Sequence, residues 1–296
     1  MAHSRESASA LKKALGLITT LHVVLFISLA LTAQGCDDTD AMLKTCQQTG
    51  LCDTEAPPPE EIHVLCDGSL GSTCTKETLD ATLDVVLPYA AHRPGSVVSL
   101  WGLGTDYDDT TVLASTTSTA PPSRSKRART SHESRWTAMA KLELEKNAEP
   151  YLDRKSRRLT SPIAEGLTKI GQARTHPDQP TWIVVVSDGR QMTRLANFEC
   201  RSAGFPTNNE VWLKTLTEAG VLTAGSLQGN LTVVFTYQNS APINGSRCAV
   251  EVSARRTNRI RELWTVALSH AGATVLPFSV GTAQLESEST PVTSSL

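Results

Sequence analysis

Trp182-Ile183-Val184-Val185-Val186-Ser187-Asp188-Gly189 contains the most strand-like run of the chain. Five apolar residues, four of them β-branched, follow one another without a polar interruption and stop at Ser-Asp-Gly. Such a run suits a strand covered on both faces, because a half-exposed strand would alternate. Working outward, Ile62-His63-Val64-Leu65-Cys66 makes a similar run that ends in Asp67-Gly68, and Leu231 to Tyr237 makes a third. Ser96 to Gly102 and Thr274 to Val280 read as further strands, with Thr111 to Ala114 as an antiparallel neighbour of the former. Helical spacing covers the segments between. Thr75 to Ala91 places Leu79, Leu83, Val86, Leu87 and Ala90 on one stripe, and Asn258 to Ala271 does the same with Ile260, Leu263, Trp264, Ala267 and Leu268. Trp136 to Arg154, Pro162 to Ala173 and Asn209 to Ala219 complete the set. Apolar strands alternating with amphipathic helices predict an α/β fold, a doubly wound, mainly parallel sheet flanked by helices with one antiparallel edge strand. Ligands of such sheets bind beyond the carboxyl ends of the strands, where the strand order reverses. Asp67 and Asp188 each stand at such an end.

The N-terminus has a different logic. Arg5, Lys12 and Lys13 precede an apolar stretch from Ala14 to Ala33, and Gln34-Gly35-Cys36 follows. A basic start, an apolar middle and small residues before a break make a secretory signal over residues 1–35. Ala33, Gly35 and Cys36 resemble the lipobox of bacterial lipoproteins, which implies cleavage after Gly35 and acylation of Cys36, with palmitate among the lipids. The alternative is an uncleaved anchor, since twenty residues span roughly 30 Å of hydrocarbon. Either way the rest of the chain faces outward from the cytoplasm, and the expected location is the bacterial cell envelope, lipid-anchored to a membrane. Asp37 resembles the inner-membrane retention signal of enterobacterial lipoproteins.

Cleavage removes three basic residues and one acidic residue, leaving 25 Lys+Arg against 29 Asp+Glu and a net charge of about −4. That balance argues against a nucleic-acid partner. The remaining 261 residues suit one large domain, and 40% hydrophobic residues with only 5% aromatics imply an aliphatic core. Residues 36–60 are acidic and then proline-rich, a tether; residues 61–281 form the domain, and 282–296 a Ser/Thr-rich disordered tail. Residues 115–135, with Arg124, Lys126, Arg127 and Arg129 among Ser, Thr and Pro, read as a mobile insertion. Setting Cys36 aside, Cys46, Cys52, Cys66, Cys74, Cys200 and Cys248 remain, an even number in an exported chain. Six cysteines allow fifteen pairings and sequence does not select one; Cys46–Cys52, Cys66–Cys74 and Cys200–Cys248 are the expected set. The spacings lack the paired C-x-x-C knuckles of zinc sites.

Three loops carry a family resemblance. Asp67-Gly68-Ser69-Leu70-Gly71-Ser72 between a strand and a helix is similar to the D-x-S-x-S loop of von Willebrand factor type A domains. Ser161-Pro162-Ile163-Ala164-Glu165-Gly166-Leu167 resembles their threonine loop, and Trp182 to Gly189 resembles their strand ending in T-D-G or S-D-G. The pieces occur in the family's order over about residues 61 to 281. The resemblance implies a vWA-like fold, also describable as Rossmann-like, carrying a metal-ion-dependent adhesion site. That site holds Mg²⁺ or another divalent cation on hard oxygen ligands and leaves a position for a partner's carboxylate. Carried over by position, Asp67, Ser69, Ser161 and Asp188 match. Gly71 stands where the second serine should, so the site is degenerate, and Ser72 and Thr160 are the substitutes at hand. A simpler reading is also open: Asp67 and Ser161 as N-caps of the helices that follow, and Asp188-Gly189 as a turn.

An exported binding protein without catalysis is therefore expected, recognising a protein or cell-surface ligand through the strand-end face. Two rivals remain. Asp106-Tyr107-Asp108-Asp109-Thr110 resembles the D-x-D-x-T loop of haloacid-dehalogenase-like phosphatases, with Asp106 as nucleophile, Asp108 as acid/base and Ser187 as a second-motif hydroxyl. Gly102 and Gly104 interrupt the approach to that loop, and Thr-Thr-Val after it reads as a hairpin strand, so an acidic turn is the simpler account. The other rival is a metal-free scaffold that works through its surface loops. No G-x-S-x-G elbow, phosphate loop or His pair at metal-ligand spacing supports other chemistry.

Overall fold

A computed structural model describes residues 56–69, 74–121, 125–153, 160–198, 204–236 and 254–276. The chain divides into two compact units, Met1–Glu55 with Pro121–His132, and Ala56–Ala120 with Glu133–Leu296. The sheet lies in the second. Its strands are β1 (Glu61–Cys66), β2 (Val97–Gly102), β3 (Thr111–Thr117), β4 (Thr181–Val186), β5 (Leu231–Phe235) and β6 (Thr274–Val275). The helices are α1 (Lys76–Ala91), α2 (Lys126–Asp153), α3 (Ile163–Ala173), α4 (Asn209–Glu218) and α5 (Ala254–Ala271).

The sheet order is β3-β2-β1-β4-β5-β6. Every pairing is parallel except β2 with β3. This is the doubly wound α/β architecture with one antiparallel edge read from the sequence. Chain order runs outward in both directions from the β1–β4 pair, so the switch point lies there. β1 is buried along its whole length and divides its side chains between two cores. Ile62, Val64 and Cys66 join residues of α1 and α2 on one face, whereas Leu65 joins α3, α4 and α5 on the other. β4 divides the same way, with Trp182, Val184 and Val186 opposite Ile183 and Val185. The uninterrupted apolar runs are thus the sequence form of a strand with no solvent face.

The expected insertion at 115–135 needs correction. β3 runs on to Thr117, and α2 begins at Lys126, ten residues before the predicted start. Threonine and serine suit an exposed edge strand, and lysine and arginine are good helix formers on a solvated face. Composition alone had made both look like loop. The bounds of the other elements shift by a few residues at most, except that α5 starts at Ala254 and the expected last strand is seen only as Thr274–Val275.

Among the described residues no helix is long and apolar enough to cross a membrane. The signal, Cys36, the tether through residue 55, and the tail of 282–296 lie outside the described residues.

Candidate functional site

Parallel register sets Cys66 opposite Val186, so β1 and β4 end side by side. The backbone N–H of Asp67 donates to Val186 O at 3.2 Å, which carries the pairing one residue past the strand and aligns Asp67 with Ser187. The Asp67 side chain is then the hub of the strand-end rim. Its Oδ2 accepts from Ser161 Oγ at 2.7 Å and from Ser187 Oγ at 2.8 Å, and its Oδ1 accepts from the Ser69 backbone N–H at 3.0 Å. Asp67, Ser69, Ser161 and Ser187 are all at least nine-tenths buried. Three loops, from residues about 67, 161 and 187, therefore meet on one carboxylate.

The helix-cap reading fails on the same bonds. α1 is capped by Thr75, whose Oγ1 accepts from Thr78 N while Thr78 Oγ1 accepts from Thr75 N, a reciprocal capping box. α3 has Pro162 at its N-cap and no side-chain cap bond. Ser161 gives its proton to Asp67 instead, and the amide oxygen of Gln191 accepts from Ala164 N at 2.9 Å at the helix start. Ser161 is also held through its backbone, which exchanges two 3.0 Å bonds with Met192.

Asp188 follows directly but faces elsewhere. Its Oδ1 accepts from the backbone N–H of Arg190 at 3.0 Å, and its Oδ2 lies 3.2 Å from Arg190 Nε. Gly189, at φ +74°, makes the reversal that brings residue 190 back, a conformation side-chain-bearing residues adopt at a cost. The turn is pinned at both ends: Gly189 N donates to Ser187 Oγ at 3.1 Å, and Trp264 Nε1 donates to Gly189 O at 2.7 Å.

Two further devices hold the Asp67 loop. The Cys66–Cys74 disulfide, one of the pairs expected from sequence, closes it between β1 and α1 with a Cα–Cα distance of 5.5 Å. Tyr151, from α2, places its hydroxyl 2.8 Å from Cys66 O and 2.9 Å from Leu103 O, and accepts from Gly68 N at 2.7 Å. Gly102 makes room for that ring, since a Cβ there would lie 2.5 Å from Tyr151 Cε2. A cleft of about 340 Å³ opens alongside, lined by Gly102, Gly104, Asp109, Asn147 and Tyr151 among others.

Glu165, in the first turn of α3, accepts from Gln191 Nε2 at 2.7 Å. Burial pushes its carboxyl above the usual range, against the hydrogen bond from Gln191. At the opposite end of β1, His63 and then the Thr175 hydroxyl hold Glu61 down to about 2, against the opposing effect of burial. His63 Nδ1 accepts from Trp101 Nε1 at 3.2 Å, which leaves its Nε2–H edge facing Glu61 Oε2 across 3.6 Å, longer than a hydrogen bond.

Among the described residues no group of three or more His, Cys, Asp or Glu side chains could hold a metal ion, so a hard cation at the rim would have to rest on hydroxyl oxygens and a carboxylate. Asp67 is a carboxylate, Ser161 a hydroxyl whose proton points at that carboxylate and whose lone pairs are turned from it. Thr160 Oγ1, next in the chain, is a buried oxygen with no hydrogen-bond partner among the described residues. A buried hydroxyl without a partner is uncommon in native proteins and calls for water, an ion or another polar group at that oxygen. The electrostatics are less favourable, because Arg190 already balances the charge of Asp188. Ser72 and Gly71 lie outside the described residues, as do Cys46, Cys52, Cys200 and Cys248.

Asp106 belongs to a different structure. It lies in the turn between β2 and β3, where its Oδ1 accepts from Asp108 N at 2.9 Å and Asp109 N at 3.1 Å. The side chain caps its own turn. An antiparallel strand follows, and Ser187, the second hydroxyl of the phosphatase reading, is committed to Asp67. Sequence reasoning had not placed Ser187 in the Asp67 cluster, although the S-D-G motif contains it. It also missed Tyr151 and Arg190, for which no local pattern gave a signal.

No family model matches the chain, and no curated protein matches it. Among solved structures the chain is similar to an aerotolerance-related membrane protein from Bacteroides fragilis NCTC 9343, with 14% identity, 76% of this chain and 94% of that chain covered, and a TM-score of 0.37. It is similar to the conserved hypothetical protein BatB from Bacteroides thetaiotaomicron, at 14% identity over 78% and 95% of the two chains, TM-score 0.37. A von Willebrand factor type A protein from Catenulispora acidiphila is 11% identical over 73% and 44%, with a TM-score of 0.29. These likenesses are distant, and the rim is read from its own geometry.

Proposed function

We propose that this chain is an exported, non-catalytic binding protein whose strand-end rim recognises an anionic group on a protein or surface polymer through a divalent cation. The observation that carries this reading is the meeting of Ser161 and Ser187 on the buried Asp67 carboxylate, with Thr160, next in the chain to Ser161, having no partner for its buried hydroxyl among the described residues. Asp67, Ser161 and Thr160 would hold the cation, with Asp188 once released from Arg190. Bound there, a Mg²⁺-type ion supplies a positive charge and an open coordination position for a carboxylate. The residues of the chain orient the oxygens and keep the loops fixed; no bond is made or broken. The reading of Cys36 as a lipid attachment point belongs to the same proposal, and incorporation of labelled palmitate that disappears in Cys36→Ala checks it.

The test is thermal unfolding with and without Mg²⁺ or Mn²⁺. A ligand at 100 times its Kd stabilises the folded state by about 2.7 kcal/mol, so the transition should rise by several degrees. Ser161→Ala should remove the response while the chain still folds. A wild-type transition that ignores millimolar Mg²⁺ and Mn²⁺ refutes the cation reading. One observation favours a metal-free scaffold as the second reading: both oxygens of Asp188 already engage Arg190. That version predicts partner capture unaffected by chelator.

A further inference from the structure

We infer that the edge strand β3 is a dimerisation surface, on which two copies of this chain join β3 to β3 antiparallel with their α2 flanks side by side. The inference does not depend on the cation reading. β3 ends the sheet, and its neighbour there is β2. Its seven residues, Thr111–Thr117, include no charge and no proline. Edges of this length are ordinarily blunted by lysine or proline, because their outward N–H and C=O groups accept another strand. A register shift beside Leu113 leaves Ala114–Thr117 regular. Ser118 N donates to Ser96 O, so by antiparallel alternation Thr116 and Ala114 bond toward β2, and Thr117 and Ser115 turn outward.

Apolar exposure gathers on the same side of the sheet. Four large hydrophobic side chains stay exposed among the described residues. Three of them belong to β3 or α2: Val112 at 43%, Met139 at 66% and Leu142 at 69%. A single exposed leucine is ordinary, but such a grouping marks a contact surface. In α2 the buried Ala140, Leu144 and Ala148 face the sheet, while Lys141 reaches Asp80 and Asp84 of α1. Helical geometry then puts Met139, Glu143 and Lys146 on the other side of the buried stripe, along the β3 edge.

Symmetry and charge make a second copy the partner that fits. Trp136 Nε1 donates to Thr117 O at 3.0 Å, and Asn147 and Pro150 share the cleft of about 340 Å³ with Thr111 and Leu113. α2 therefore runs antiparallel to β3, and the middle of the strand lies level with Leu144. A two-fold axis through that point pairs the strands antiparallel and sets the helices antiparallel as well. Glu143 of each copy then faces Lys146 of the other, and Met139 of each faces the other's cleft beside Asn147 and Pro150. An uncharged strand meets itself without repulsion, and the helix flank carries opposite charges in the self-complementary order of an isologous contact. The strand-end rims of the two copies point in opposite directions, so the dimer presents two separate binding faces.

The experiment is sedimentation equilibrium of the full chain in mild detergent. Wild type, Glu143→Lys, Lys146→Glu and an equimolar mixture of the two variants are compared. Wild type should sediment as a dimer at micromolar concentration. Each variant alone sets like charges against each other across the axis and should weaken the dimer by roughly tenfold or more. Mixing the two restores opposite charges and should recover the dimer, a recovery that only folded variants can give. Val112→Lys, a charge on the strand itself, should also dissociate the pair and speed amide exchange at Ser115 and Thr117. A monomeric wild type overturns the inference. So does a dimer indifferent to both charge variants, an assembly larger than two, or variants that stay apart when mixed. The cation reading is decided separately by the thermal titration with Mg²⁺ or Mn²⁺.

Discussion

Replacing Asp67 by alanine removes the acceptor of three bonds at once, from Ser161 Oγ, Ser187 Oγ and Ser69 N. The side chain is 1% exposed, so water does not replace it readily. A hydrogen bond to a charged acceptor is worth about 1.5–3 kcal/mol, and a buried donor left alone costs about 1–3. Against this, the variant no longer buries a carboxylate, and two hydroxyls can rotate toward other acceptors. The balance is a loss of about 3–4 kcal/mol, or roughly 10 °C in Tm for a domain of this size. Asp67→Asn keeps one carbonyl acceptor and should lose about half as much. The assay is urea unfolding of the full chain followed by fluorescence of the buried Trp212 and Trp264, with m checked for constancy. In a Ser161→Ala, Ser187→Ala background the Asp67→Ala cost should shrink, because the donors that needed the carboxylate are gone. A loss below about 0.5 kcal/mol, the range of ordinary surface changes, would mean that Asp67 is not the hub of the three loops.

Tyr151→Phe leaves the Gly68 N–H without its 2.7 Å acceptor and should cost about 1–3 kcal/mol in the same assay, with a weaker cation response as the loop loosens. Cys66→Ser with Cys74→Ser opens a short loop and should cost about 2.5 kcal/mol by loop entropy; an unchanged midpoint would show that the loop is held without the disulfide. Glu61, held down to about 2 from 4.5, stabilises the fold above pH 4.5 and loses that contribution as pH falls from there toward 2. Glu61→Gln should therefore flatten the acid limb of stability against pH. Glu165 has the opposite sign: its raised carboxyl favours the protonated fold, so stability declines as pH rises through and above 4.5. Glu165→Gln, which keeps an oxygen for Gln191, should be more stable than wild type at neutral pH, and a less stable variant would contradict the burial argument.

The fold was legible because its central strands have no solvent face. Val184 and Ile183 belong to different cores, and a strand with two cores needs no polar residue, so the apolar run is visible in the chain. The position of Asp67 was legible for the same reason: a run that stops abruptly at Asp-Gly marks a strand end. Ser161 was found through its place in an ordered set of loops, since nothing local reveals that it spurns the N-cap of α3 for a carboxylate 94 residues away. Tyr151 shows the limit. Its hydroxyl ties Gly68 from 83 residues downstream, yet in sequence it is one aromatic among helical residues. Arg190 illustrates another limit, because an arginine two residues after an aspartate is ordinary until Gly189 turns it back. The stretch before Trp136 misled through composition, where charge on a solvated helix looked like the charge of a loop.

The most direct measurement is an anomalous difference map from crystals of the full chain soaked in Mn²⁺. The account predicts one peak at the strand-end rim, bounded by Ser161 and Thr160, with Asp188 turned from Arg190 toward it. A rim without a peak at saturating Mn²⁺, with the Asp188–Arg190 pair unchanged, would contradict it.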